Sequence, residues 1–191
     1  MAWSTPKTFV ATDVLTASEM NTYVSDNTDF LNKPPSARVY NSADISVNNN
    51  TVVALTFNSE RWDTDTIHST VTNTGRLTCR TSGLYQIFGC IAFASSTDVL
   101  PTTDVSATTD IYTSLHSCAI RLNGTSVIAV STVSDSVDST ETRLAPSTIY
   151  SLSVDDYVEL TAYQTSGYTF TVKSASNYSP EFGMTYLGKV S

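Results

Sequence analysis

His68 and Ser69 stand side by side, with Asp63 and Asp65 a few positions upstream, and these are the residue types from which a nucleophile and its base are built. In a chain so rich in serine and aspartate, chance alone supplies such neighbours, and no Gly-x-Ser-x-Gly turn accompanies them. No catalytic residue is therefore expected, and the chain reads as a non-enzyme. Trp62-Asp63-Thr64-Asp65 offers two carboxylates to a calcium ion, but no further oxygen ligands follow at loop spacing. Asp155-Asp156 reads more simply as the turn before a strand. Cys79, Cys90 and Cys118 are odd in number, lie in strand-like stretches and have no Cys-x-x-Cys partner or neighbouring histidine pair. They read as reduced thiols packed as small apolar groups, so neither a metal nor a cofactor is expected.

The element that must organise the rest is the stretch from Thr74 to Phe93. A short strand, Leu77 to Cys79, meets a Ser82-Gly83 turn and leads into a long strand. There Tyr85, Ile87, Ile91 and Phe93 fall on one side, and Leu84, Phe88, Cys90 and Ala92 on the other. A strand apolar on both faces has to be covered on both, which places it in the middle of a sandwich. Downstream, Asn123-Gly124 marks a hairpin between Ser117–Asn123 and Thr125–Val133, because this dipeptide accepts positive φ at a tight turn. Further strands are expected at 38–40, 51–57, 141–154, 157–165, 168–173 and 181–189. In the fifth of these, Tyr168, Phe170 and Val172 should form the buried face. Nine or ten short strands with no long helix among them predict an all-β sandwich.

Thr74-Gly75-x-Leu77-x-Cys79-x-x-Ser82-Gly83-Leu84-Tyr85 resembles the Thr-Gly-x-Phe-x-Cys-x-x-Pro-Gly-x-Tyr signature of the complement-type globular heads, which belong to the tumour necrosis factor-like jelly rolls. Leu77 and Ser82 depart from it, replacing Phe and Pro. Ile120 to Gly124, Leu152 to Leu160 and Phe182 to Leu187 resemble that family's later strands in the same order. The resemblance covers residues 37 to 189 and implies a jelly-roll β-sandwich that assembles as a homotrimer. Ten tyrosines and seven phenylalanines are more than one such core accommodates, and Tyr suits a half-wet contact. The residues expected at the trimer interface are Tyr85, Tyr163, Phe182 and Tyr186.

Residues 1–36 read differently from the head at 37–191. Thr16-Ala17-Ser18-Glu19 is a capping box, and Met20, Tyr23, Val24, Asn27, Phe30 and Leu31 at spacings of three and four predict an amphipathic helix of about four turns that stops at Lys33-Pro34-Pro35. So short a helix is marginal alone and needs a surface to lie on, either its own domain or a partner. Ahead of it run Trp3, Pro6, Phe9, Val10, Val14 and Leu15. Trp3, Pro6, Leu15, Thr16, Ala17, Met20, Asn21, Asp26, Asn27 and Leu31 resemble the opening segment of many bacteriophage virion proteins. That likeness implies a virion protein whose arm grips a major capsid protein or another virion protein through Trp3, Pro6, Phe9, Val10, Leu15, Met20, Val24, Phe30 and Leu31. Pro34-Pro35 would be the stiff joint between arm and head.

The composition narrows the partners. A net charge of -8 with only ten Lys and Arg argues against nucleic acid, whose phosphates need clustered cations. No run approaches the ~20 apolar residues of a membrane-spanning helix, so no membrane partner is expected. Met1 to Lys7 lacks the pattern of a secretory leader, which predicts synthesis in the host cytoplasm and display on the virion surface. The expected role is a capsid decoration or head fibre. The alternatives are a tail fibre or baseplate component, or a tip that reads a host surface glycan through the loops Ser95 to Thr113 and Ser134 to Ser139 and through Tyr178.

Overall fold

The computed structural model describes residues 3–95, 113–136, 141–175 and 177–190. The capping box forms as the sequence predicts: the Thr16 hydroxyl accepts from the Glu19 amide at 3.2 Å, and the Glu19 carboxylate accepts from the Thr16 amide at 3.0 Å. Helix α1 (Ala17–Met20) passes through a π-helical turn, Asn21–Ser25, into α2 (Asp26–Asn32). It ends at Lys33, because Pro34 and Pro35 have no N–H to continue the ladder. The double proline is not a free joint. The Pro34 carbonyl accepts from the Thr64 hydroxyl at 2.8 Å and the Pro35 carbonyl from the Tyr186 amide at 2.8 Å.

The head is built of antiparallel strands: β1 (Ser36–Tyr40), β2 (Ile45–Val47), β3 (Val53–Ala54), β4 (Ser59–Asp63), β5 (Arg76–Thr78), β6 (Gly83–Phe93), β7 (Thr113–Leu122), β8 (Ser126–Ser136), β9 (Thr142–Leu144), β10 (Ser147–Leu152), β11 (Tyr157–Gln164), β12 (Phe170–Val172) and β13 (Glu181–Gly188). One sheet runs β2-β12-β6-β13-β1-β4, with β9 and β10 on the opposite side of β6. The second runs β3-β11-β7-β8, with β5 also on β11. The long central strand is therefore interior to its sheet, as its sequence requires. Tyr85, Ile87, Ile91 and Phe93 are fully buried between the sheets beside Leu55, Leu77, Ile120, Val158 and Leu160. Phe57 stacks on Phe182 with centroids 5.7 Å apart. Each such aromatic or branched side chain contributes about 1.5–3 kcal/mol by leaving water.

Where the strands differ from expectation, proline and turn chemistry explain it. The stretch 141–154 divides at Pro146, which has no amide to give, and its carbonyl instead accepts from the Gly89 amide at 3.0 Å. The stretch 51–57 pairs only at Val53–Ala54, and Leu55 and Phe57 reach the core from irregular backbone. Tyr168 lies outside the buried face it was assigned to, while Phe170 and Val172 are buried. The Asn123-Gly124 turn has φ of 50° and 72°, as the dipeptide predicts. Gln164 ties the two sheets together: its amide donates to the Val47 carbonyl at 3.0 Å and the Tyr168 carbonyl at 2.7 Å, and its oxygen accepts from the Ser166 amide at 2.6 Å.

Gly89 marks the closest approach of the sheets. A Cβ there would lie 2.4 Å from Leu160 Cδ1 and 2.8 Å from Cδ2. Gly89→Ala should therefore destabilise the head by about 1–3 kcal/mol, read as a lower urea midpoint at unchanged slope.

Candidate functional site

The His-Ser-Asp group is a loop fastening. His68 is buried, with Nδ1 2.9 Å from Glu60 Oε1 and Nε2 3.1 Å from the Thr74 carbonyl. Ser69 accepts from the amides of Val71 and Thr72 and faces no histidine nitrogen. Asp63 accepts from the amides of Asp65 and His68, and Asp65 accepts from the Thr81 hydroxyl. These carboxylates are spent on holding the turn, and among the described residues no group of three His, Cys, Asp or Glu side chains could hold a metal ion. His116 is buried between the rings of Phe93 and Phe170. Asp156 takes the expected turn role, accepting from the Ser153 amide and from Asn123. Cys79 and Cys118 are buried, and burial pushes both thiols up; Cys90 is half-buried.

The four tyrosine and phenylalanine positions expected at a trimer interface do not share one exposed surface, although Tyr85 and Tyr186 touch. Tyr85 and Phe182 have no exposed surface to offer, because both point between the sheets, where the Tyr85 hydroxyl donates to the Thr81 carbonyl at 2.7 Å. Burial holds the Tyr85 phenol protonated. Tyr186 packs edge-on against Tyr85 at 5.5 Å and Phe30 at 5.3 Å, so its ring is engaged by its own arm. Tyr163 lies on the outer side of the second sheet, donating to Asn50. Period-two alternation identified the rings as sheet residues but could not say which side the sandwich would close on.

The arm splits in two. Phe30 is buried against Tyr186 and Trp3, and Asn27 holds the leader by accepting from the Ser4 amide at 3.0 Å and donating to the Ser4 carbonyl at 2.8 Å. Phe30 is thus used within the chain, while Trp3 packs on it and stays half-exposed. Pro6, Phe9, Val10, Leu15, Met20, Val24 and Leu31 remain exposed, with Val10 at 61 %, Val14 at 86 % and Leu31 at 69 %. Lys7 bridges to Glu19, and that contact, ahead of the two hydrogen bonds from Thr16, holds the Glu19 carboxyl down at about 2.

The outer face of the eight-stranded sheet is the other unfinished surface. Phe88 lies flat over Gly183, where a Cβ would meet its Cζ at 2.5 Å. Around it are Leu84, Ile149 at 59 % exposure and Leu187. Beside this apolar ground sits Glu181, 3 % exposed, accepting from Arg38 Nε at 2.6 Å and Arg61 Nη2 at 2.7 Å. The Arg61 guanidinium stacks over Tyr40 at 4.2 Å, and Arg38 lies 5.9 Å from the Trp62 ring. Tyr178 is covered on one side by Arg143 at 4.7 Å. Of the loops expected to read a glycan, residues 96–112 and 137–139 lie outside the described residues.

Solved structures match this arrangement over most of its length. The globular domain of a zebrafish complement 1qA protein is 12 % identical, covers 82 % of this chain and 99 % of its own, and superposes with a TM-score of 0.50. The Eiger tumour necrosis factor of S. frugiperda is 15 % identical over 82 % of this chain and 94 % of that one, at 0.56. The fold is that of the complement 1q and tumour necrosis factor jelly rolls. Murine APRIL, 10 % identical over 80 % of this chain and 98 % of that one, agrees at 0.53. At these identities the likeness is one of fold, and nothing in it indicates a bacteriophage origin. No protein-family model and no curated protein sequence matches the chain.

The Glu19 carboxylate stabilises the arm only when ionised. Its folded pKa lies below the ordinary 4.5, so that support is present above pH 4.5 and is lost as pH falls through about 2. Amide exchange at Thr16 and Glu19 should accelerate relative to the head across that interval, and a Glu19→Gln chain should show no such step.

Proposed function

We propose that this chain is a non-enzymatic, self-associating structural module: a homotrimeric jelly-roll head carried on the surface of a bacteriophage particle, as a capsid decoration or head fibre, by its N-terminal arm. The observation that carries self-association is the outer side of β6. The strand is apolar on both sides, and among the described residues the outer one is only partly covered, leaving Leu84 and Phe88 half-exposed beside the exposed Ile149 of β10. A patch of this kind on a soluble chain marks a contact surface.

A second surface is suited to cover it. β8 is an edge of the five-stranded sheet among the described residues, and its eleven residues, Ser126 to Ser136, contain no Lys, Arg or Pro. Edges so long and without such guards pair or pack readily with another chain. An edge that packs on a different face is a heterologous contact, which leaves no unpaired copy only if it closes into a ring. The likeness in fold to the complement and tumour necrosis factor heads favours three copies.

The arm supplies attachment. Its exposed apolar residues are Val10, Val14 and Leu15 ahead of the helix and Met20, Val24 and Leu31 on it, and Phe30 fastens the helix to the head. Three arms in one trimer bind as a multivalent unit, so contacts that are weak singly give long-lived attachment. The virion assignment rests on the likeness of residues 3–31 to phage opening segments.

Light scattering after size exclusion should give a mass of three chains at micromolar concentration, and Phe88→Glu with Ile149→Lys should reduce it to one chain with unchanged circular dichroism. A wild-type monomer would end the trimer reading. Replacing Val14, Leu15 and Met20 by serine should leave the trimer intact and abolish its copurification with particles; unchanged copurification would refute the arm's role. Hundreds of copies per particle would favour head decoration, and a handful a tail position.

A further inference from the structure

We propose that the outer face of the five-stranded sheet is a docking site for a polypeptide segment of another protein that presents one carboxylate between aliphatic side chains, with Arg121 as the group that takes the carboxylate. The face carries a groove of about 280 Å³ lined by Val52, Ala119, Arg121, Val127, Val130 and Tyr163. An antiparallel sheet with one side in water ordinarily turns polar residues outward. Here Val52, Val127 and Val130 are turned outward instead, at 50 %, 56 % and 58 % exposure.

A break in register builds the groove. β7 and β8 pair Ala119 with Val130 and Ile120 with Ala129, but Arg121 with Val127, so β8 holds an extra residue at Ile128. In an unbroken strand, positions 127 and 130 would face opposite sides. The bulge brings both valines to the outer side, one across from Arg121 and the other across from Ala119. Bulges re-aim side chains in this way beside functional sites.

The polar groups of the groove are spent, with one exception. Thr161 donates to the Ala119 carbonyl, the Ser117 hydroxyl accepts from Thr132, and Tyr163 donates to Asn50, each at 3.2 Å. Glu159 stands across from Arg121 in the β7–β11 ladder but accepts from Arg76 Nε at 3.1 Å. Among the described residues, the half-buried Arg121 has no hydrogen bond, ion pair or ring contact from its guanidinium. Its five N–H donors are open to a partner.

A guanidinium set in apolar ground selects an anion with apolar flanks, because a carboxylate takes two of its hydrogens at once while aliphatic neighbours cover the valines. The shape of the groove decides between a free amphipathic acid and a protein. Small-molecule sites enclose most of their ligand, whereas a groove along a sheet covers it from one side alone. A polypeptide segment has its far side covered by its own protein. The site uses the outward side chains of β8 and lies on the other sheet from β6, so it stands apart from the self-association proposed above.

The test is calorimetric titration of the full chain, at low ionic strength, with the capped peptide Ser-Val-Leu-Asp-Val-Leu-Ser, with the same peptide carrying Asn for Asp, and with sodium decanoate. The expected result is saturable binding of the acidic peptide that weakens with added salt, with the Asn peptide and decanoate each at least about tenfold weaker. Arg121→Gln and Val130→Ser should each weaken binding at least about tenfold at unchanged circular dichroism and assembly mass. Absence of saturable binding overturns the proposal, as does wild-type affinity in Arg121→Gln or for the Asn peptide. Decanoate binding as tightly as the peptide would overturn it in favour of a free amphipathic acid. If Val130→Ser lowers the assembly mass, the face is a subunit contact and the proposal falls. Binding seen only after Val14 and Leu15 are replaced by serine would also overturn it, because the groove would then belong to the arm of a second copy. Binding retained by the Phe88→Glu/Ile149→Lys chain would support it even if self-association fails.

Discussion

The two-sided greasiness of β6 is the constraint from which most of this molecule follows. Its inward residues demand an opposing sheet, and β11 and β7 meet that demand with Leu160, Val158 and Ile120. The fit is tight enough that position 89 has no room for a side chain. Its outward residues make the same demand, and among the described residues it is answered only in part: Ala92 is buried, while Leu84, Phe88 and Cys90 are left half-exposed. A fold satisfied on one side and wanting on the other is a stable monomeric unit with a reason to associate, and so the architecture and the proposed assembly arise from one stretch of eleven residues.

Charge is distributed to suit that division. Asp63 at the end of β4 and Asp156 in its turn hold backbone amides, and Asp65 holds the Thr81 hydroxyl, so these carboxylates serve local geometry. On the outer face, by contrast, a carboxylate is withdrawn from water and surrounded by arginines and rings. Polar groups that are buried on an otherwise open face need compensation, and here each oxygen of Glu181 has a cationic donor.

Much of the fold was legible because period-two alternation and punctuation by Asn-Gly and Pro are local signals. The capping box, the Asn123-Gly124 hairpin and the central strand formed where the residues put them. What escaped was non-local. β4 is absent from the strands expected from the sequence, and only its ladder to β1 reveals it. Tyr85 and Phe182 were assigned to a contact surface because a surplus of aromatics shows that some rings lie outside the core without saying which. The sidedness of a strand is set by its cross-sheet neighbours, which its own letters do not contain. The arm was half legible: its apolar stripe was evident, but that Phe30 would be buried on Tyr186 of the head, with Trp3 packed on Phe30, is a non-local contact.

The manner in which the arm joins the head also decides how tension travels. A pull on residues 3–33 enters β1 through the Pro34-Pro35 carbonyl contacts, and β1 is flanked by β13 on one side and β4 on the other. Tension along a strand laddered on both sides loads its bonds in shear, all at once, instead of unzipping them one after another. An arm joined there enters the sheet through an interior strand, and a head tethered by it would withstand drag that would peel away one hung from an edge strand.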